Sequence, residues 1–165
     1  MPVLNDIRIR HIQPSDNEAL AVIIRRTLEE FSANHPGTVY FDPTTDALYE
    51  LFSGTPGSVY FVAEKEGVIV GGGGIFPSPG LPADTCELVK MYLLPHVRGL
   101  GLGKKIIDAC IHFARQTGYR NIYIETMPEL KRAMQTYEGF GFRYLDGPLG
   151  NTGHFGCELW MLLTL

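Results

Sequence analysis

The chain has 165 residues, of which 45% are apolar and 19% are charged, and its formal net charge is -4. This length fits one domain, and the apolar share supports a packed core and excludes a disordered chain. An acidic balance without a basic stripe argues against nucleic acid as a partner. The N-terminus carries charge where a signal peptide needs an apolar core, and no apolar run is long enough to span a membrane. We therefore expect a cytoplasmic protein with no membrane partner.

The cysteines point to neither disulfide nor metal chemistry. Cys86, Cys110 and Cys157 are an odd number without C-x-x-C spacing. Such a set gives no disulfide framework and no zinc site, and no other histidines, cysteines and carboxylates have metal-ligand spacing. We expect reduced thiols, as is usual in the cytosol, and no metal.

The first half of the chain predicts the order β-α-α-β-β. Hydrophobic periodicity and turn residues place these elements at residues 7–11, 20–31, 46–52, 59–64 and 68–76. Ser15 and Glu18 have the spacing of a capping box ahead of the first helix. The four glycines Gly71 to Gly74 weaken the last of these strands and leave room for a close backbone or ligand.

The second half predicts the order β-α-β-α-β-β. A strand over 87–94 leads into a glycine-rich turn, and a helix then runs to about residue 116. The elements that follow are predicted over 121–125, from Pro128 to about 139, over 142–145 and over 157–163. No linker interrupts the pattern, so residues 1–165 are predicted to form a single α/β domain.

The most informative stretch is the turn after the predicted fourth strand, which reads Arg98-Gly99-Leu100-Gly101-Leu102-Gly103-Lys104. Glycine permits positive φ and removes side chains that would block a ligand. Freed N–H groups and the start of a helix then offer partial positive charge, to which Lys104 and Lys105 add full charge. The turn is therefore suited to a phosphate group.

Other interpretations of this turn fit less well. A P-loop needs Ser or Thr after its lysine, but Lys105 follows Lys104. A dinucleotide fold needs the turn after the first strand, with an acidic residue about 20 positions further on. In this chain the turn follows the predicted fourth strand. Three alternating glycines are more than the packing of a helix start requires.

Two motifs resemble those of the GNAT acyltransferases. The run from Leu93 to Lys104 looks like the family's acetyl-CoA motif, Gln/Arg-x-x-Gly-x-Gly/Ala, which Arg98, Gly101 and Gly103 fill. Residues 137–142, Tyr-Glu-Gly-Phe-Gly-Phe, are similar to its Tyr-x-x-x-Gly-Phe signature. The order of predicted elements matches across essentially the whole chain. The resemblance implies a single-domain α/β GNAT fold, with a mixed, mostly antiparallel central sheet splayed between strands 4 and 5 and flanked by helices.

The resemblance also implies a site for acetyl-CoA as cosubstrate. By position in the motif, the backbone of Gly99, Leu100, Gly101, Leu102, Gly103 and Lys104 would hold the pyrophosphate, together with Arg98. The fourth-strand residues Met91, Tyr92 and Leu93 would pair with the pantetheine arm through their backbones. The amide of Leu93 would hydrogen-bond the thioester oxygen and stabilise an oxyanion.

Two catalytic residues follow from the same resemblance. Tyr137 matches the family's general acid, and a phenol with a pKa near 10 is protonated at neutral pH. Glu87 lies eleven positions before Arg98, a spacing at which some members place a general base. Glu125 is a second candidate for that base. Without the family context, Tyr137 reads as a core aromatic and Glu87 as an exposed residue at a strand start.

One position departs from the family pattern, and the acceptor side is less well defined. Many members carry an asparagine seven positions before the tyrosine, where this chain has Leu130; Lys131 or Arg132 could replace that contact. The loop around Tyr40 and the loop of residues 147–156, which carries His154, are expected to border the acceptor.

The sequence thus predicts an N-acetyltransferase that moves an acetyl group from acetyl-CoA to a primary amine by direct attack. The acceptor would be a small molecule or a peptide, and a cationic acceptor suits the acidic net charge. The alternative is a module of the same fold that binds acyl-CoA without transferring it. The acceptor, the length of the acyl group, the base and the oligomeric state stay open, and a homodimer would be common in this fold.

Overall fold

A seven-stranded sheet forms the centre of the protein in the computed structural model, which describes residues 6–153 and 155–165. Four helices flank it: α1 (Asn17–Glu30), α2 (Leu48–Ser53), α3 (Leu102–Thr117) and α4 (Lys131–Gly139). The strands are β1 (Ile7–His11), β2 (Val59–Lys65), β3 (Val68–Phe76), β4 (Thr85–Leu93), β5 (Asn121–Thr126), β6 (Arg143–Leu145) and β7 (Leu159–Thr164). The predicted α/β order is confirmed.

The sheet has the order β1-β2-β3-β4-β5-β7-β6. All neighbouring strands are antiparallel except β4 and β5, which run parallel. The mixed, mostly antiparallel sheet expected from the sequence is therefore present. The parallel pair is possible because α3 connects β4 to β5 as a crossover helix.

Alternate residues along the strands feed two cores, one on each face of the sheet. The core on the α3 face contains the buried stripe of that helix, including Ile106, Ile107 and Cys110. The core on the opposite face gathers Leu20, Ile24 and other residues of α1 and α2. The sheet is therefore the middle of three layers, with helices packed on both of its faces.

Two predicted helix starts are placed differently. The Ser15–Glu18 capping box is wrong, because a 3-10 turn over Pro14–Asp16 precedes α1 and the Asp16 carboxylate accepts from the Gln13 backbone N–H at 2.7 Å. Helix α4 begins at Lys131 rather than at Pro128. Pro128 instead lies inside a turn closed by a hydrogen bond from Leu130 N–H to the Met127 carbonyl at 3.0 Å, a position that suits its fixed φ.

The four-glycine segment of β3 pairs with β2 at all four positions and with β4 at three of them, contrary to the expected weakness. Large side chains and neighbouring backbone take up the space that side chains would need: a Cβ on Gly72 would lie 2.6 Å from the ring of Tyr60, and one on Gly73 would lie 2.6 Å from the sulfur of Met91. The Tyr60 hydroxyl reaches across β3 and donates to the Lys90 carbonyl at 2.8 Å. The glycines therefore admit the close packing that fixes β4.

Candidate active site

The strands β4 and β5 separate along most of their length. Their parallel pairs are Thr85–Asn121, Cys86–Ile122 and Glu87–Tyr123, and β4 continues to Leu93 with no further pair to β5 within the described residues. Past Glu87, one edge of β4 therefore has no neighbouring strand. This gap is the predicted splay, and its unpaired backbone groups can bind an extended ligand.

The last residue of β4 points its backbone into the gap. Leu93 lies opposite Gly71, and the hydrogen bond beside this pair runs from Leu94 N–H to the Val70 carbonyl at 2.9 Å. In an antiparallel ladder this arrangement marks a pair that is not hydrogen-bonded, so the N–H and C=O groups of Leu93 face away from β3. The Leu93 amide is therefore directed toward the gap, as the sequence interpretation requires.

A bulge interrupts β4 just before this point. The pairing moves from Gly74–Val89 to Gly72–Tyr92, so that two residues of β4 lie opposite one residue of β3. Lys90, in the bulge, has a φ of 52°, which is uncommon for a residue with a side chain. The bulge places an extra side chain of β4 on the face that carries α1.

The glycine turn leaves a group of backbone donors without acceptors. Gly99 and Gly101 have φ values of 78° and 81°, which turn the chain into α3. Within the described part of the chain, the six N–H groups of residues 99–104 donate to no protein acceptor; the first helical bond is from Lys105 N–H to the Gly101 carbonyl at 3.2 Å. A Cβ on Gly101 would meet no atom within 4 Å. The turn is therefore an open, positively polarised cradle.

Arg98 supports this turn from outside the cradle. Its Nε donates to the Leu93 carbonyl at 2.9 Å, and its two terminal nitrogens bind the Glu30 carboxylate at 2.7 and 2.9 Å. The guanidinium also lies over the ring of Phe31, 5.2 Å from its centroid. These contacts join the turn to the end of α1, so the guanidinium holds the shape of the site.

A second arginine lies next to the cradle. A Cβ on Gly99 would be 3.2 Å from a terminal nitrogen of Arg132, which is exposed on α4. Leu130, at the position where the family often has asparagine, packs against the core on the α1 face instead. The structure thus brings Arg132, rather than Leu130, to the turn.

Tyr137 lies on α4 with 6% of its surface exposed, and its ring packs 5.8 Å from that of Phe142. Burial raises the pKa of its hydroxyl above the usual value of 10. Every fully buried side-chain nitrogen and oxygen of the described residues has a hydrogen-bond partner, whereas the Tyr137 hydroxyl has none among them. The hydroxyl is therefore not sealed in the core, and it is protonated and available to a ligand.

Two glutamates line a cavity on the α1 face, beside the gap. Glu87 is 3% exposed rather than solvent-facing, and it accepts from the Ser78 hydroxyl at 2.5 Å. Glu125 accepts from the Tyr123 hydroxyl at 3.1 Å and from the Thr152 hydroxyl at 2.7 Å. Residues of several elements complete the cavity: Thr38, Val39, Leu88, Val89, Lys90, Tyr92, Thr126, Met127, Leu130 and Cys157. Both candidate bases therefore lie where an acceptor could reach the gap.

The two loops expected to border the acceptor lie together. Gly156 N–H donates to the Gly37 carbonyl at 2.8 Å, which joins the two loops, and Asn151 N–H donates to the Pro79 carbonyl at 2.9 Å, which joins the second loop to the connection between β3 and β4. Phe41 and Phe155 are 57% and 82% exposed near this junction. His154, in the loop expected to border the acceptor, lies outside the described residues.

The thiols are poorly suited to form a covalent intermediate. Cys110 is buried in α3, and burial raises the pKa of Cys86 and of Cys157 to about 12. Thiols with raised pKa values hold little of the nucleophilic thiolate at neutral pH. Within residues 6–153 and 155–165, no group of histidines, cysteines and carboxylates is arranged to hold a metal ion, and no helix could cross a membrane.

Lys90 was not predicted from the sequence, and Lys131 and Arg132 were left as alternatives for the contact that Leu130 does not make. Lysine within the otherwise apolar run of the predicted fourth strand was the signal for Lys90. A buried cation at such a position needs a partner that the strand itself does not supply. The side of α4 that faces Gly99 depends on where that helix begins, which is why Lys131 and Arg132 could not be distinguished.

The comparisons with known proteins agree with this architecture. A family model for the acetyltransferase (GNAT) family matches residues 24–142. The chain therefore belongs to the GNAT family and is an acyltransferase. It is 44% identical over 158 residues to the uncharacterized N-acetyltransferase YjgM of Escherichia coli, covering 95% of this chain and 94% of that protein.

Solved structures of low sequence identity share the fold. A GNAT-family acetyltransferase from Staphylococcus aureus superposes with a TM-score of 0.83 at 22% identity, over 96% of this chain and 98% of that one. The PaiA N-acetyltransferase of Thermoplasma acidophilum, solved in complex with coenzyme A, has a TM-score of 0.75 at 17% identity, over 96% and 99% of the two chains.

Proposed function

We propose that this protein transfers an acetyl group from acetyl-CoA to a primary amine by direct attack. The observation that carries the proposal is the cradle of free N–H groups at residues 99–104, at the end of the gap between β4 and β5. A pyrophosphate fits the cradle, and an extended chain with amide groups fits the unpaired edge of β4. The coenzyme A bound by the Thermoplasma protein of the same fold supports this choice of ligand.

Different residues of the site would bind different parts of acetyl-CoA. The backbone of Gly99, Leu100, Gly101, Leu102, Gly103 and Lys104 would bind the pyrophosphate, with charge from Lys104 and Arg132. Arg98 would act by holding the turn against Glu30. The backbones of Met91 and Leu93 would pair with the pantetheine arm, which places the thioester beside the Leu93 amide, whereas the backbone groups of Tyr92 between them face Gly72 on β3.

The chemistry follows from the groups along the gap. The amine nitrogen attacks the thioester carbon, and the Leu93 N–H stabilises the negative charge that forms on the oxygen. The carbon–sulfur bond then breaks, Tyr137 gives its proton to the departing thiolate, and the proton lost by the attacking nitrogen restores the phenol through solvent. Burial makes Tyr137 a weak acid, and a coenzyme A thiolate released beside its buried hydroxyl would be a stronger base than in water for the same reason, so the proton transfer stays matched.

The amine must lose a proton before or during attack. A free amine with a pKa near 10 is neutral in about one molecule in a thousand at pH 7. Glu87 and Glu125 both line the cavity on the acceptor side, and either could accept the proton directly or through water. Glu87 is the stronger candidate because it lies on β4, where the strands begin to part.

The second candidate function is a module that binds acyl-CoA without transferring it. The hydroxyl of Tyr137, which no described residue engages, favours transfer, because a sensor has no use for a proton donor at this point. A screen of acetyl-CoA with amines, amino acids, polyamines and peptides, followed by thiol release, separates the two. Acceptor-dependent release of coenzyme A supports transfer, and tight binding without release under any acceptor contradicts it.

A further inference from the structure

The strongest unexplained feature of the site is the buried ammonium group of Lys90. The residue is 6% exposed and lines the cavity that holds Glu87 and Glu125. Burial lowers the pKa of Lys90, while the charges of Asp42 and Glu87 act to raise it. A lysine in such a place is costly unless its charge is matched by acceptors.

The described residues match this charge only in part. The Lys90 Nζ lies 3.8 Å from the Asp42 Oδ2, which is an ion pair but beyond hydrogen-bonding distance. Asp42 is the partner that the described residues give Nζ, and at 3.8 Å it satisfies at most one of the three donors of an ammonium. Since every fully buried nitrogen and oxygen there has a partner, Nζ must reach the open space of the cavity.

Backbone and side-chain contacts hold Lys90 in this place. The bulge in β4 gives it a φ of 52°, and the Tyr60 hydroxyl donates to its carbonyl at 2.8 Å. Asp42 is oriented in turn, because its Oδ1 accepts from the Thr44 N–H at 2.9 Å and from the Thr44 hydroxyl at 2.7 Å. Backbone strain that neighbouring contacts maintain is a mark of functional positions.

We propose that Lys90 binds the carboxylate of the acceptor, so that the acceptor is an amino acid and not a simple amine. This inference rests on the proposed acetyl transfer. A carboxylate supplies the oxygen acceptors that Nζ lacks and carries one charge. A phosphate would bring a second charge close to Glu87, Glu125 and Asp42, and a simple amine would leave the donors of Nζ unpaired.

The test compares acceptors that differ only in the carboxylate. Suitable pairs are L-phenylalanine with phenethylamine, L-leucine with isopentylamine, and L-lysine with cadaverine. With saturating acetyl-CoA, we expect the wild-type enzyme to favour the amino acid of at least one pair in kcat/KM by about 10- to 100-fold, as a charged hydrogen bond would give. Wild-type enzyme that favours the simple amine in every pair would overturn the inference.

The Lys90→Met variant locates the effect. We expect it to raise KM for the preferred amino acid by about 10- to 100-fold, to leave KM for acetyl-CoA and activity with the simple amine nearly unchanged, and so to abolish the preference. Lys65→Met removes a lysine on β2 and serves as the control, with the preference intact. An equal loss with both members of a pair would show a merely structural role and overturn the inference.

Two further measurements keep the outcomes distinct. Lys90→Arg keeps the charge and should keep the preference for the amino acid. If Lys90→Met does not fold, this variant becomes the test, and its loss of the preference counts against the inference. Calorimetry with L-phenylalanine, L-leucine and L-lysine should show weaker binding of the preferred one to the Lys90→Met protein with coenzyme A bound. If simple amines alone are acetylated, the carboxylate inference fails but the proposed function stands; if nothing is acetylated although acetyl-CoA binds, the proposed function itself fails.

Discussion

Tyr137 combines a packed ring with a hydroxyl that the described residues leave unengaged. Its ring contacts Phe142. Burial raises the pKa of the phenol, so the residue still carries its proton at working pH and can donate it. The core-aromatic interpretation explains the ring but does not explain why no described residue hydrogen-bonds the hydroxyl. General-acid catalysis explains both.

We expect Tyr137→Phe to lower kcat by about 10²- to 10⁴-fold, the usual contribution of a positioned proton donor. The thermal midpoint and the Kd for acetyl-CoA should change little, because the ring that packs against Phe142 is retained. Tyr144→Phe is the matched control: it removes the hydroxyl of an exposed tyrosine, which donates to the exposed Glu138, and should leave kcat unchanged. Full activity of Tyr137→Phe would exclude the general-acid role.

Single glycines of β3 stabilise the fold because they leave space for neighbouring groups. A Cβ on Gly74 would lie 2.5 Å from the Val59 carbonyl oxygen, and backbone of a paired strand cannot move away cheaply. We expect Gly74→Ala to lower the free energy of unfolding by about 1–3 kcal/mol in urea titrations. Gly147→Ala, where no atom lies within 4 Å, should change it by less than about 0.5 kcal/mol. Equal stability of the two variants would argue against close packing at β3.

At the scale of elements, α3 offers an internal comparison of its two ends. Gly101 and Gly118 cap the helix with φ values of 81° and 96°, and a Cβ at either would meet no atom within 4 Å. A valine at either position should therefore bring similar left-handed strain of about 1–2 kcal/mol. The two ends differ only in that Gly101 belongs to the proposed pyrophosphate cradle.

We expect Gly101→Val to weaken acetyl-CoA binding by about 10-fold or more in calorimetry, which corresponds to about 1.4 kcal/mol. The valine side chain would occupy the approach to the free N–H groups. Gly118→Val should lose comparable stability but bind acetyl-CoA like wild type. If both folded variants kept wild-type affinity, the assignment of the cradle to pyrophosphate would be wrong.

At the scale of the whole molecule, the sequence predicted the order of elements because hydrophobic periodicity and glycine-rich turns are local signals. The separation of β4 and β5 was implied by the family resemblance alone, because strand pairing depends on residues that are far apart in the sequence. The strand over 68–76 was predicted correctly, but the fit of its four glycines to Tyr60 and Met91 appears only after packing. Likewise, the Ser15–Glu18 spacing gave no hint that Asp16 already closes the preceding turn.

In the candidate site, too, the features that could be predicted are those whose residues are close together in the sequence. The cradle at residues 99–104 could be predicted, because the glycines that build it are consecutive along the chain. The role of Arg98 as a support could not, since Glu30 and Phe31 lie far from it in sequence. Lys90 needed the bulge and the loop that carries Asp42, two features that depend on register and tertiary contact.

The central claim is that the acetyl group passes directly from acetyl-CoA to an amine within this fold. A single-turnover experiment with isotopically labelled acetyl-CoA and an acceptor found in the screen tests it most directly, with protein and small molecules followed by mass spectrometry. We predict that released coenzyme A and N-acetylated product form together in equal amounts, that release requires the acceptor, and that the protein gains no label. Label on the protein before product appears, or bound acetyl-CoA that no acceptor consumes, would contradict the claim.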